Sequence, residues 1–302
     1  MTDLFDSDFL GRLERLHLIA KRLAARQTSG ARRSQRVGDG LEFADHRAYA
    51  EGDDFRFIDW PYYARMEKLL LRMFHRHSEA DVAILLDCSS SMAPGAAPDD
   101  RAGGADKFNY ARRAAAALAY VAMGSLERVI VQPFSDRCGQ AMHTGRNRGQ
   151  IFEVLDFLSG LAASGRTQLK SCLERFAREH PAAGTALIVS DLLDCADELA
   201  DALAMLRPSG CDVAVLHLYS PDDAAPALEG PMRLRAAEGH EQMDLLVTQD
   251  ILESYRRSWK RFEQGCQRTC LGRGAIYVAA PTDLPFETLV LQSLRKAGVL
   301  NE

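Results

Sequence analysis

No apolar run in this chain approaches the ~20 residues that a membrane-spanning helix requires, so the sequence offers no transmembrane segment. Residues 1–10 lack the basic patch followed by an apolar stretch that marks a secretory signal, and the expected localisation is cytoplasmic. Cysteine is sparse and odd in number, seven residues scattered along the chain, as in a protein of a reducing compartment. Cys88, Cys172 and Cys211 sit within apolar patterns and read as small core residues. Cys266 and Cys270 are spaced i, i+4 on an expected helix, and His75 and His77 share a strand face; neither pair has the second pair that zinc needs. A net charge of −5 over 302 residues gives no general reason to expect nucleic acid or an anionic membrane as partner.

Signatures of catalysis are missing too. There is no Gly-x-Ser-x-Gly elbow, and no Gly-Lys-Ser/Thr follows Gly38-Asp39-Gly40, which reads as a turn. His46, His75, His143, His217 and His240 have no evident nucleophile beside them. Arg26, Arg32, Arg33 and Arg36 form a basic tract without interleaved aromatics, closer to a solvated linker than to a nucleic-acid surface.

What the chain does have is material for a large core, with 47% hydrophobic residues. The stretch that organises it is Asp81-Val82-Ala83-Ile84-Leu85-Leu86-Asp87-Cys88-Ser89-Ser90-Ser91-Met92. Its short unbroken apolar run suits a strand of a parallel sheet covered on both faces. The strand ends at Asp87, and Asp87, Ser89 and Ser91 then alternate, so a tight turn can aim three oxygens at one point. Hard divalent cations take such ligands; a turn that satisfies its own backbone N–H groups explains the same residues without metal. Downstream, Ser164-Gly165-Arg166-Thr167 is a loop before an amphipathic segment, and Ala186-Leu187-Ile188-Val189-Ser190-Asp191 is a second buried strand ending in a carboxylate.

Together, Asp87-x-Ser89-x-Ser91, Thr167 and Asp191 resemble the metal-ion-dependent adhesion site of von Willebrand factor A domains. That resemblance implies Mg²⁺, with Mn²⁺ or Ca²⁺ as alternatives, held by the hydroxyls of Ser89, Ser91 and Thr167. Asp87 and Asp191 would ligate directly or through water, leaving a position for a partner's carboxylate.

Along the rest of the chain, apolar residues at Leu10, Leu13, Leu16, Leu18, Ile19 and Leu23 predict an N-terminal amphipathic helix. Residues 69–75 predict an edge strand and residues 94–105 a small-residue loop. Helices are expected over 108–126, 148–161, 168–179, 196–206, 248–264 and 286–296. Strands are expected over 128–134, 139–143, 186–191, 212–218 and 275–279. This alternation predicts an α/β fold, a doubly wound, mostly parallel sheet with helices on both faces, and the resemblance of the site residues implies that it is von Willebrand factor A-like. Ligands of such sheets sit beyond the carboxyl ends of the strands, where Asp87 and Asp191 fall. The expected division is an N-terminal helix and charged segment over 1–79 and an A-like domain over 80–302. The latter carries a hairpin insertion at about 228–248, turning at Glu238-Gly239-His240.

Residues 41–60 alternate aromatics with opposite charges. They suggest an ion-pair network of Arg47, Arg56 and Arg65 with Asp53, Asp54 and Asp59, either a clasp on the sheet or a recognition surface. Glu42-Phe43, Arg47-x-Tyr49, Gly52-Asp53-Asp54-x-Arg56-x-Ile58-Asp59-Trp60 and Ala64-Arg65, followed by the Asp87 loop, resemble the bacterial domain of unknown function 58. Members of that family carry an A-like domain and are often encoded beside MoxR-type AAA+ ATPases. The resemblance implies a metal-dependent protein-interaction module acting with such an ATPase or its client, and not an enzyme. A metal-dependent hydrolase using the same corner of the sheet, and a scaffold that does not use metal, are the alternatives.

Overall fold

The computed structural model describes residues 4–27, 42–49, 55, 58–75, 81–93, 106–125, 127–238 and 241–296. The chain separates into two compact units, residues 27–79 and residues 1–26 together with 80–302.

In the larger unit, α1 (Ser7–Gln27) precedes the excursion to the smaller one. Its buried face includes Phe9, Leu13, Leu16 and Ala20, of which Leu13 and Leu16 belong to the expected stripe. Leu18 and Ile19 are exposed, because the period of 3.6 counted from Phe9 places them on the outer side.

The smaller unit pairs β1 (Glu42–Ala48) antiparallel with β2 (Leu70–His75) in a two-stranded sheet. The strand expected over 69–75 is therefore no edge of the main sheet. Between them lies α2 (Trp60–Met66), capped by Asp59, whose Oδ1 accepts from the Tyr62 N–H at 2.9 Å. The other oxygen of Asp59 lies 2.8 Å from His46 Nε2, and Arg65 donates to the Pro61 carbonyl. Asp53, Asp54, Arg56 and the Arg47 side chain, which complete the expected network, lie outside the described residues. So do Arg32, Arg33, Arg36, the Gly38–Gly40 turn, His77 and residues 94–105.

The main sheet is built from β3 (Asp81–Asp87), β4 (Val129–Phe134), β5 (Met142–His143), β6 (Ala183–Ser190), β7 (Asp212–Tyr219) and β10 (Ile276–Pro281), in the order β10-β7-β6-β3-β4-β5. Every pairing is parallel except β4–β5, where the two-residue β5 closes the edge antiparallel. Its helices are α3 (Lys107–Gly124), α4 (Ile151–Ser159), α5 (Leu169–Glu179), α6 (Leu199–Ala204), the one-turn α7 (Pro221–Ala224), α8 (Gln249–Gly272) and α9 (Phe286–Lys296). A separate hairpin, β8 (Gly230–Arg235) with β9 (Gln242–Val247), leaves between β7 and α8.

Alternation along β3 divides the core. Val82, Ile84 and Leu86 pack with α1, α3, α4 and α9, while Ala83 and Leu85 pack with α5, α6 and α8. A strand buried on both faces has no polar side, which is why residues 82–86 read as one apolar run. The alanines of α3, Ala114 to Ala117, are all fully buried, and their small side chains let the helix lie close against β3. Cys266 and Cys270 are free thiols in the core face of α8, one turn apart, and no zinc reading is needed for them. Among the described residues no helix is long and apolar enough to cross a membrane.

Candidate functional site

The chain leaves β3 through α3 to β4 and β5, then returns through α5 to β6 on the opposite side of β3. Helices α3 and α5 belong to cores on opposite faces of the sheet. The carboxyl ends of β3 and β6 therefore open into a crevice where the winding reverses, the position at which such sheets take ligands. Asp87 ends β3, Ser190 ends β6, and Asp191 follows it directly.

Asp87 is fully buried. Its Oδ1 accepts from the Ser89 N–H at 2.9 Å, and its Oδ2 accepts from the Ser190 hydroxyl at 2.6 Å. Burial, and after it the charge of Asp191, pushes its carboxyl up to about 7, against the pull of the bonds from Ser190 and Ser89. Ser190 also caps the next turn, its Oγ accepting from the Leu192 N–H at 3.0 Å. Leu192, itself fully buried, adopts a left-handed φ of 57°, a conformation this tightly held turn imposes on a residue that does not favour it.

Ser91 is the hub. Its Oγ lies 3.0 Å from Ser89 Oγ and 3.2 Å from Asp191 Oδ1. One hydroxyl proton serves one acceptor at a time, so this cluster holds more acceptors than protons. Asp191 is balanced by Lys107, the first residue of α3, whose Nζ lies 2.9 Å from Asp191 Oδ2 and 3.2 Å from Asp223 Oδ2 in α7. Burial pushes the Lys107 ammonium down, but the charges of Asp191 and Asp223 and their hydrogen bonds outweigh it and hold it above its ordinary range. The start of α3 thus brings a cation to the crevice.

Thr167 arrives from the other side. The Ser90 N–H donates to the Gly165 carbonyl at 2.9 Å, and the Ser164 N–H to the Cys88 carbonyl at 2.7 Å, stitching the two loops together. Gly165 has φ +81°, and a Cβ there would press to 3.2 Å on the Asp136 carboxyl carbon, so glycine is required. Thr167 does not bond Asp87, Ser89, Ser91 or Asp191 directly. Its N–H and Oγ1 instead donate to the two carboxylate oxygens of Glu238, at 2.9 and 3.0 Å. Glu238 sits at the tip of the β8–β9 hairpin, where Arg166 Nε also donates to its carbonyl at 2.6 Å. Burial pushes the Glu238 carboxyl up, but the Thr167 N–H, Ser91, the Thr167 hydroxyl and Asp194 together hold it below its usual range. Asp194 is raised, first by its own partial burial and then by its hydrogen bond to Glu238.

The five residues singled out in the sequence thus gather in one crevice, Asp87, Ser89, Ser91 and Asp191 in direct contact and Thr167 bonded to Glu238. Four partners were missed: Lys107, Ser190, Asp194 and Glu238. A lysine at the first position of a helix is disfavoured by the dipole, and that anomaly was a readable sign of an acidic neighbour. Nothing in the hairpin turn distinguished Glu238, and its neighbours Gly239 and His240 lie outside the described residues. Among the described residues no three His, Cys, Asp or Glu side chains converge in a way that would hold a metal. The five expected ligands are instead two carboxylates and three hydroxyls, all hard oxygens, in a cluster short of positive charge. That donor set fits Mg²⁺.

A family model described as "Protein of unknown function DUF58" matches residues 45–264. Uncharacterized proteins of Mycobacterium bovis and Mycobacterium tuberculosis are each 22% identical to this chain over 284 residues, covering 93% of it and 87% of their own length. Two solved structures are similar over 73% of this chain. One, an aerotolerance-related membrane protein from Bacteroides fragilis, is covered over 100% of its length at 17% identity and a TM-score of 0.46. The other, a conserved hypothetical protein BatB from Bacteroides thetaiotaomicron, is covered over 99% at 14% identity and a TM-score of 0.42.

Proposed function

The chain belongs to the DUF58 family of proteins of unknown function, and from that premise we propose that it is a cytoplasmic protein-interaction module with a Mg²⁺ site of the adhesion type. The observation that carries this reading is the unbroken chain of hydrogen bonds from Asp87 through Ser89 and Ser91 to Asp191 at the crevice between β3 and β6. A sheet that winds both ways from β3, with an antiparallel edge at β5, supports a von Willebrand factor A-like arrangement.

Asp87 and Asp191 would hold the cation directly or through water, with hydroxyls from Ser89, Ser91 and Thr167. Bound there, Mg²⁺ supplies a charge that retains exchangeable waters, one of which an incoming carboxylate can displace. The chain's own contribution is rigidity: Ser190 and the Ser89 N–H fix Asp87, and Lys107 fixes Asp191. The partner we assign, a MoxR-type AAA+ ATPase or its client, follows from the family resemblance of residues 42–65 and the Asp87 loop. Its contact is an Asp or Glu side chain. Capture of such an ATPase by the purified chain is expected to require magnesium, to fall with EDTA and to fail for Ser89→Ala. Capture that persists through both treatments removes the metal from the interface.

Lys107 favours a second reading, in which the ammonium is the resident cation and the crevice works without metal. A chain that binds no magnesium and still captures the ATPase would select it.

A further inference from the structure

Among the described residues the hairpin is a ribbon of two strands that pair only with each other. Isolated two-stranded ribbons are marginal in water and depend on what holds their ends. At its base, Val247 is buried, and β8 begins at Gly230 with φ +89° and open space around it, a joint that other residues would strain. Between base and tip the ribbon is loosely covered. Leu234 and Met243, opposite each other in register, are 40% and 61% exposed.

The tip, by contrast, is held by charge-assisted hydrogen bonds. Glu238 receives the Thr167 N–H and Oγ1 on separate oxygens, while its carbonyl receives Arg166. A backbone N–H and a hydroxyl that grip one carboxylate in parallel form a receptor for carboxylates generally. Thr167 is also one of the residues assigned to the cation.

We propose that Glu238 is an intramolecular carboxylate ligand of this site, so that a partner's Asp or Glu enters by exchanging with the hairpin tip. The inference rests on the reading of the crevice as a place for a partner's carboxylate, and adds the control of access to it. The geometry makes the closed state a competitor. A tethered ligand acts at an effective concentration in the millimolar range or above, so a free carboxylate binds more weakly while the tether is seated. The partner must then bring contacts beyond one acidic side chain, which confers selectivity against stray carboxylates.

The test uses the full chain, wild type and Glu238→Ala, with Glu238→Gln as a second variant that keeps the shape and drops the charge. Sodium acetate is the probe, titrated at constant ionic strength with and without magnesium chloride, and the Thr167 amide resonance reports binding. Glu238→Ala is expected to bind acetate at least about tenfold more tightly than wild type, with Glu238→Gln between the two. Amides of β8 and β9 should exchange with solvent faster in Glu238→Ala. Equal acetate affinity in wild type and Glu238→Ala, or hairpin exchange unchanged by the substitution, overturns the proposal. A tenfold gain seen without magnesium, in proteins that bind no magnesium by calorimetry, sinks the metal reading and leaves the exchange of carboxylates standing. Magnesium binding that is equal in both proteins, with no gain for acetate, does the reverse.

Discussion

The crevice has two halves of opposite character. In the inner half, Asp87, Ser89, Ser190 and Asp191 are within 1% of complete burial and are held by strand ends and by one another. In the outer half, Thr167, Glu238 and Asp194 are partly or largely open to solvent, and a hairpin rather than the sheet delivers the central carboxylate. Burial makes the inner groups expensive to disturb and fixes their positions; exposure makes the outer ones exchangeable. A binding site needs both, a frame that does not move and a place that can be vacated.

The sharpest way to break this contrast is to remove the cation of the inner half. Lys107→Met leaves the Asp191 carboxylate buried without its partner, and such a loss costs about 3–5 kcal/mol. Urea unfolding should register it in magnesium-free buffer, and millimolar magnesium should restore part of the loss by supplying another cation. A Lys107→Met chain as stable as the wild type would mean that the ammonium is not what balances Asp191.

His217, fully buried in β7 with its Nδ1 2.6 Å from the Tyr277 hydroxyl, tests the same half by pH. Burial pushes its imidazole down to about 4. The unfolded chain binds a proton near 6.5, so between pH 6.5 and 4 the unfolded state is the more protonated one. The stability contributed by neutral His217 is complete above pH 6.5 and declines by about 3 kcal/mol as the pH falls to 4. The difference in unfolding free energy between wild type and His217→Gln should follow that slope. A difference that stays flat across the window contradicts a neutral, buried imidazole.

Smaller effects separate the halves directly. Asp87→Ala strands the Ser190 hydroxyl and the Ser89 N–H in the interior, at about 1–3 kcal/mol, whereas Thr167→Val in the outer half should cost about 1 kcal/mol or less. Denaturant curves for the pair measure the contrast. Equal losses would show that the outer half is as much a part of the frame as the inner.

Much of the inner half was legible in the sequence, because it follows from rules of short range. An apolar run ending in Asp87, a second ending in Asp191, and hydroxyls two residues apart place oxygens at strand ends, and the alternation of strands and helices brings those ends together. The α1 face was read in part: Leu13 and Leu16 lie on it, whereas Leu18 and Ile19 do not, and Phe9 and Ala20, which carry the same period, were not counted. The long-range partners, in either half, were not legible. Thr167 meets Glu238 across 71 residues, and Lys107 meets Asp191 across 84. No periodicity or turn chemistry encodes those distances. A hairpin insertion could be read from its flanking strands, but where its tip lands depends on the joint at Gly230 and on the length of the ribbon.

The most direct measurement is a calorimetric titration of the full chain with magnesium chloride at pH 7, alongside Asp87→Ala. A metal-binding inner half predicts one site in the wild type, filled at millimolar magnesium or below, and no binding heat in Asp87→Ala. The fold of that variant is to be checked by its unfolding curve. A wild-type chain that takes up no magnesium at millimolar concentration, or an Asp87→Ala chain that binds it as well, would contradict the metal site.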